Sequence, residues 1–547
     1  ASLRTWRVTD TPSHGRDLHK SMRFRTLKPP CCTGEDLPRT VDILIVGSGL
    51  VGSTFARMIA DLVPRTRVLM VEVGPRLTRQ PGMHIRNIEG GRERDRAQYR
   101  SQGPTAVGGS PAVAQTVPAP GSAPARGTFF SNPQAVREGW ADTLPAASMS
   151  SNVGGMGSHW GAATPFPRGR ERIGFIPAEE WAGCLATGRR LLSVTDEPLV
   201  NTAAWRATLR RLSAEFDAEL PVDGAVRNMP VACRRRADSS APYWTGSDVV
   251  LGELATSPRA TFAIAAETLC RRLLTEDGRV GGAELEHLPS GRTTRIAAKV
   301  VVVAADSLRT PQLLWASEIR PPALGRYLND HTIISAGLVP NHLDEPDNYG
   351  EFLSRVSARV RHGVPGGIGW IPYADDAHPV HATFGQFEEP SPGEGGRPVG
   401  MISFSYLLPK EIRFHDRVRF LSEASDVYGM PGIAIDYGMT ERDEQTLDRA
   451  KALIERAAAV LGADSPGPNV SVQRDGRSLH YMGTIRMGEH DDGDSVCDSY
   501  SRVWEFENLF VGGNGVIPTP IACNPTLTSV ALGVRAAVQV AAVATKY

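Results

Sequence analysis

At 547 residues and 41% hydrophobic content, the chain is long enough for two domains with substantial cores. Lys plus Arg and Asp plus Glu each number 60, so no net field draws it to nucleic acid or to an anionic membrane. The seven cysteines are odd in number and scattered without paired CxxC spacing, so no metal is expected, and Ala1 to Arg7 carry no apolar signal core, which makes a reduced, cytoplasmic setting the expectation.

The first predicted element is an apolar strand, Val41 to Val46, running into Gly47-Ser48-Gly49-Leu50-Val51-Gly52 and then into a helix from Ser53 to Ala60. Glycines at 47, 49 and 52 suit a tight turn, close approach of backbone to a pyrophosphate, and close packing of a helix whose N-terminus faces the phosphates. A second apolar strand, Arg67 to Val71, ends at Glu72, which stands 20 residues after Gly52, where a ribose-binding carboxylate belongs. The motif alone leaves FAD and NAD both open.

Residues 101–127 are rich in Gly, Pro, Ala and Ser, which predicts a flexible linker or a lid over the cofactor. Next comes Val153-Gly154-Gly155-Met156-Gly157-Ser158-His159-Trp160-Gly161, with too little side chain to fill a core but suited to pressing backbone against a planar ligand. Lys299 to Val303 reads as a buried strand. A second lid candidate runs from Asp344 to Gly367, and Gln386 and Glu388 are candidates for meeting substrate hydroxyls.

Toward the C-terminus, His480 lies in Leu-His-Tyr-Met-Gly-Thr-Ile-Arg-Met-Gly and Asn524 in Cys-Asn-Pro-Thr-Leu-Thr. An imidazole and a carboxamide beside glycine and proline punctuation suit removal of a proton from an alcohol while another group takes the hydride. Between them, Glu505 to Gly515 reads as a buried strand ending in a second glycine turn at Gly513 and Asn514. Two glycine sites so far apart suggest one extended cofactor. Pro525 suits the first turn of a helix over Thr526 to Val543, broken as an apolar run by Arg535; Asn524 could also cap that helix.

The glycine loop with Glu72, the segment Gly325 to His331, and the block from His480 to Asn524 together resemble the glucose-methanol-choline oxidoreductases, and within them the pyranose oxidases and the bacterial members acting on sugar C-glycosides. The resemblance implies an α/β fold: a Rossmann-like FAD-binding domain built discontinuously from residues 38–75, 255–330 and 480–545, with 76–130 as a flexible insertion. Residues 170–250 and 332–475 would form an α+β substrate domain on an antiparallel sheet. It makes His480 the catalytic base and Asn524 its partner at the substrate hydroxyl, with Gly47, Gly49, Gly52, Glu72, Gly154, Gly155, Gly157, Ser158, His159, Trp160, Gly161, Gly513, Asn514, Pro525 and Thr526 around FAD, and Gln386 at the substrate.

Two departures stand out. Ile485 occupies the place of a second histidine, and Gly157 and Gly161 replace hydroxyl-bearing neighbours of His159, the position of covalent flavin attachment in fungal pyranose oxidases. Non-covalent FAD is therefore favoured, with a link through His159 as the alternative. The expected reaction is oxidation of a secondary ring hydroxyl, C2 or C3, of a pyranose or C-glycoside to the keto-sugar, with dioxygen or a quinone reoxidising the flavin. The rivals are a related alcohol or sterol oxidase, a nicotinamide-dependent reductase, and a non-catalytic dinucleotide-binding protein.

Overall fold

The computed structural model describes residues 31–32, 37–102, 143–197, 202–221, 224–235, 242–257, 259–338, 340, 367–389, 399–463 and 470–546. Most of the glycine- and proline-rich run 101–127 and nearly all of the second lid candidate 344–367 lie outside these residues.

The strands Phe262–Ala265, Val68–Val71, Thr40–Val46, Arg292–Val303 and Leu509–Val511 lie side by side, all parallel. Their apolar runs are nearly continuous because both faces are covered. On one face Ile43, Ile45, Val300, Val302 and Phe510 pack with Phe55 and Ile59 of helix Leu50–Leu62 and with Ala536, Ala537 and Val540 of helix Thr526–Ala544. On the other, Leu44, Val46, Val301, Val303 and Leu509 pack with Leu313 and Leu314 of helix Asp306–Ala316. The first half of Arg292–Val303 leaves this layer and pairs antiparallel with Arg279–His287, which pairs in turn with Thr268–Glu276. Its burial changes accordingly, from alternating to continuous at Val300.

Helix Thr526–Ala544 is long and apolar enough by composition to cross a membrane, but 78% of its apolar window is buried inside the protein. It packs against Leu50–Leu62 and Ala178–Leu191. The charge that interrupts it is accommodated: Arg535 is buried, its Nε lies 2.8 Å from Glu180 Oε1, and its guanidinium sits 3.7 Å above the Tyr500 ring.

A second sheet is entirely antiparallel, in the order Ser471–Gln473, Thr332–Leu338, Val399–Leu408, His381–Glu389, Ile368–Ile371 and Arg227–Asn228. Ile334, Ala336, Ala382, Phe384, Phe404 and Tyr406 recur every second residue and form one core face with helices Ala203–Phe216 and Glu441–Leu461. The longer helix starts at Thr440, whose hydroxyl accepts from Asp443 N while Asp443 accepts from Thr440 N, and ends at Gly462 in a left-handed conformation. Strand Thr332–Leu338 follows directly on His331, so the start of this strand delivers an imidazole to His480.

Candidate active site and cofactor cavity

Four parallel strands end at one cavity of about 420 Å³, where Gly47, Glu72, Ala304 and Gly513 all contribute to its wall. Gly47 has φ +104°, and a Cβ there would stand 2.2 Å from Ala304 O; a Cβ on Gly52 would stand 2.1 Å from Gly47 O. Both positions exclude any side chain. At Gly49 and Gly513, by contrast, a Cβ would meet nothing within 4 Å, since both face open cavity. Glu72 is buried and holds the loop itself, accepting from Ser48 N at 3.2 Å and Ser48 Oγ at 2.7 Å on one oxygen and from Gly74 N at 3.1 Å on the other. Burial raises its pKa against the pull of these bonds.

The glycine-rich middle segment closes over this loop. Gly154 N donates to Ser48 Oγ at 2.9 Å, and a Cβ on Gly155 would reach 3.2 Å from Gly49 Cα. Gly157 packs on Leu50, and Ser158 is spent internally, accepting from Asn152 Nδ2 at 2.9 Å. Trp160 is fixed at both ends: its Nε1 donates to Thr245 O at 2.7 Å and its carbonyl accepts from His84 Nε2 at 3.1 Å. Gly161 is exposed. His159 Nε2 meets Ser150 Oγ at 2.8 Å and Met156 Sδ at 3.1 Å, while buried Nδ1 has no hydrogen-bond partner among the described residues. Burial, with His84 adding to it, pushes the His159 pKa down to about 3, so the ring is neutral.

At the other end of the cavity a chain of hydrogen bonds defines the state of His480. His331 Nε2 lies 2.7 Å from Ile521 O, and because a carbonyl only accepts, that nitrogen carries the proton. His331 Nδ1 is then an acceptor, 2.9 Å from His480 Nδ1, which must donate. The lone pair of His480 is thereby placed on Nε2, 3.4 Å from Asn524 Nδ2. Burial pushes the His480 pKa well below 6.5, with His331 and His381 adding to the effect. Asp330, buried beneath, accepts from His480 N at 3.2 Å and from Ser478 Oγ, and burial raises its pKa to about 7.

The structure thus brings His480, Asn524, Asn514, Thr526, His159 and the glycine loop to one cavity. Asn514 accepts from Ser529 Oγ at 2.6 Å. Asn524 does not cap the last helix: Pro525 occupies the N-cap without a side-chain bond, leaving Asn524 for His480, and Asn524 Oδ1 has no partner among the described residues. Gln386 is buried on strand His381–Glu389, outside the cavity lining, and its Oε1 has no partner among the described residues. Ile485 is buried in the main core, so the second imidazole at the site comes from His331 instead. The part of His331 was not foreseen; it stood in the quoted Gly325 to His331 run, but only its bonds to Ile521 and His480 reveal it.

The arrangement fits a dinucleotide bearing a planar ring. Helices Leu50–Leu62 and Thr526–Ala544 both begin at the cavity with no side-chain cap, leaving first-turn N–H groups for a ligand. The open faces of Gly49 and Gly513 and the orphaned His159 Nδ1 add to that fit.

The family profile described as GMC oxidoreductase matches residues 251–333 and 417–533. A C-glycoside 3-oxidase of Arthrobacter globiformis is 42% identical, covering 93% of this chain and 96% of that one. A pyranose 2-oxidase of Tricholoma matsutake is 29% identical, covering 92% and 94%. A formate oxidase structure from Aspergillus oryzae RIB40 superposes with a TM-score of 0.63 at 15% identity, covering 92% of this chain and 98% of that one, a likeness of fold. Glycine cradle, imidazole pair and full-length similarity agree: the chain belongs to the GMC oxidoreductases, and its cofactor is FAD.

Proposed function

We propose that this protein oxidises a secondary ring hydroxyl of a sugar C-glycoside, at C3, to the corresponding keto-glycoside. The observation that carries the reading is the unprotonated Nε2 of His480 beside the Asn524 amide at the cavity wall. His480 takes the hydroxyl proton on Nε2; burial keeps the ring neutral and the hydrogen bond to His331 fixes its tautomer, so the base is ready at neutral pH. Asn524 holds the developing alkoxide oxygen through an amide that does not titrate. FAD, when bound, would supply the acceptor for the hydride of the carbinol carbon, with dioxygen or a quinone as the final acceptor. The choice of C3 and of a C-glycoside over C2 of a free pyranose is supported by the 42% identity to a C-glycoside 3-oxidase against 29% to a pyranose 2-oxidase.

FAD is held without a covalent bond in this reading, because Gly157 and Gly161 stand beside His159 in place of hydroxyl-bearing residues. The test is NMR of the product from an aromatic C-glucoside: a ketone at C3 is expected, a ketone at C2 or recovery of unchanged glycoside contradicts the reading. Denaturing the same preparation should release free flavin into the supernatant.

A further inference from the structure

We infer that Glu171 is the positioning residue of the active site, a buried carboxylate that clamps the segment Thr519 to Asn524 and through it sets both His480 and Asn524. This rests on the proposed alcohol oxidation for its kinetic arm alone.

Glu171 lies far from His480 in sequence and only 1% of its surface is exposed. One oxygen accepts from two consecutive backbone groups, Ala522 N at 2.6 Å and Cys523 N at 3.1 Å; the other accepts from Arg168 N at 2.8 Å. Its own carbonyl takes a bond from Thr519 Oγ1 at 2.8 Å. The residues so held flank the two groups the site depends on. Ile521, next to Ala522, supplies the carbonyl that accepts from His331 and so fixes which nitrogen of His480 carries the lone pair. Asn524, next to Cys523, faces that lone pair. A bond to Arg168 N alone would serve as local capping of the short turn at Gly169–Glu171, but the second oxygen has no local duty and reaches across 351 residues of chain to Ala522.

A buried charge is costly unless it is fully bonded, and three N–H donors are the bonding a carboxylate needs there. Burial still raises the Glu171 pKa to about 7, against the pull of those donors and of the Arg168 guanidinium, so the bonds are working against a strong desolvation penalty. An amide cannot replace it: with its oxygen toward Ala522 and Cys523, its NH₂ would face the Arg168 N–H, donor against donor.

The test uses the flavin-loaded protein and E171Q, with E171D carrying the same criteria if E171Q does not fold. Two readouts are taken. Amide hydrogen exchange of the peptide spanning 519–524 is expected to be slow in the native protein and clearly faster in the variant, with the rest of the chain unchanged. The limiting rate of anaerobic flavin reduction by sugar is expected to fall about 10- to 100-fold, with sugar affinity and flavin content retained, as a small displacement of reacting groups would produce. Added to H331A, E171Q is expected to slow reduction less than it does alone, because the arm through Ile521 is shared and only the arm through Asn524 is not. Unchanged exchange over 519–524, a native reduction rate in E171Q, or full multiplication with H331A overturns the assignment. A native protein that no sugar reduces would instead refute the proposed function, leaving the exchange experiment to decide Glu171.

Discussion

A histidine can act as a base only where one of its nitrogens is bare, and here a carbonyl eight residues before the C-terminal helix's fourth residue decides which. Ile521 O fixes the proton on His331 Nε2, His331 Nδ1 then accepts a hydrogen bond from His480 Nδ1, and His480 Nε2 is left free. H480A should retain FAD but lose about 10²- to 10⁴-fold in the rate of anaerobic flavin reduction. H331A should keep the base yet free it to adopt the other tautomer, a loss of about tenfold or more. Equal rates in H331A and the native protein would remove the His331 bond from the account. Because the His480 pKa is pushed down, its protonation lies at the acid side of 6.5, and any acid limb it contributes to the rate profile falls below that value. That His480 and Asn524 would meet at one cavity was legible from their motifs; the contacts around them were not, since a tautomer is set by residues 331 and 521 that no local pattern records.

Secondary elements carried most of what the sequence could tell. The strand, glycine loop and helix from Thr40 to Leu62 were legible because buried parallel strands read as continuous apolar runs and because turn geometry demands glycine at Gly47 and Gly52. The loop is a rigid unit, so G52A, whose new methyl would stand 2.1 Å from Gly47 O, should force the helix off the strand. The expected outcome is protein with little or no bound FAD, read as the ratio of visible flavin absorbance to protein absorbance; full flavin content would show that the loop can yield. The second sheet was harder to read. Strands such as Ile368–Ile371 and Arg227–Asn228 are too short to show a period, and their pairing across nearly the whole substrate region is tertiary. At the end of the last loop one of the two roles open to Asn524 falls away: Pro525 takes the N-cap, and Asn524 is left facing His480.

At the scale of the whole molecule, the cavity is walled by stretches of chain from residue 46 to residue 529, so bound cofactor adds a further tie among segments far apart in sequence. A ligand that binds only the folded state stabilises it by mass action. Removing FAD should therefore lower the melting temperature and adding it back should restore it, while NADPH should not; restoration by NADPH would favour the nicotinamide-dependent alternative. The bundling of distant segments is also why strand order was not legible: the apolar strands announce themselves, but which of them adjoin is settled by packing.

The central claim is that His480 and its partners deliver a sugar hydroxyl to FAD for oxidation. It is tested most directly by an anaerobic absorbance scan of the purified protein before and after adding, in turn, an aromatic C-glucoside and glucose. The account expects a flavin spectrum that bleaches with the C-glucoside, and faster than with glucose. A flavin spectrum that neither sugar bleaches would contradict it and turn attention to other alcohols, and a colourless protein would contradict the cofactor itself.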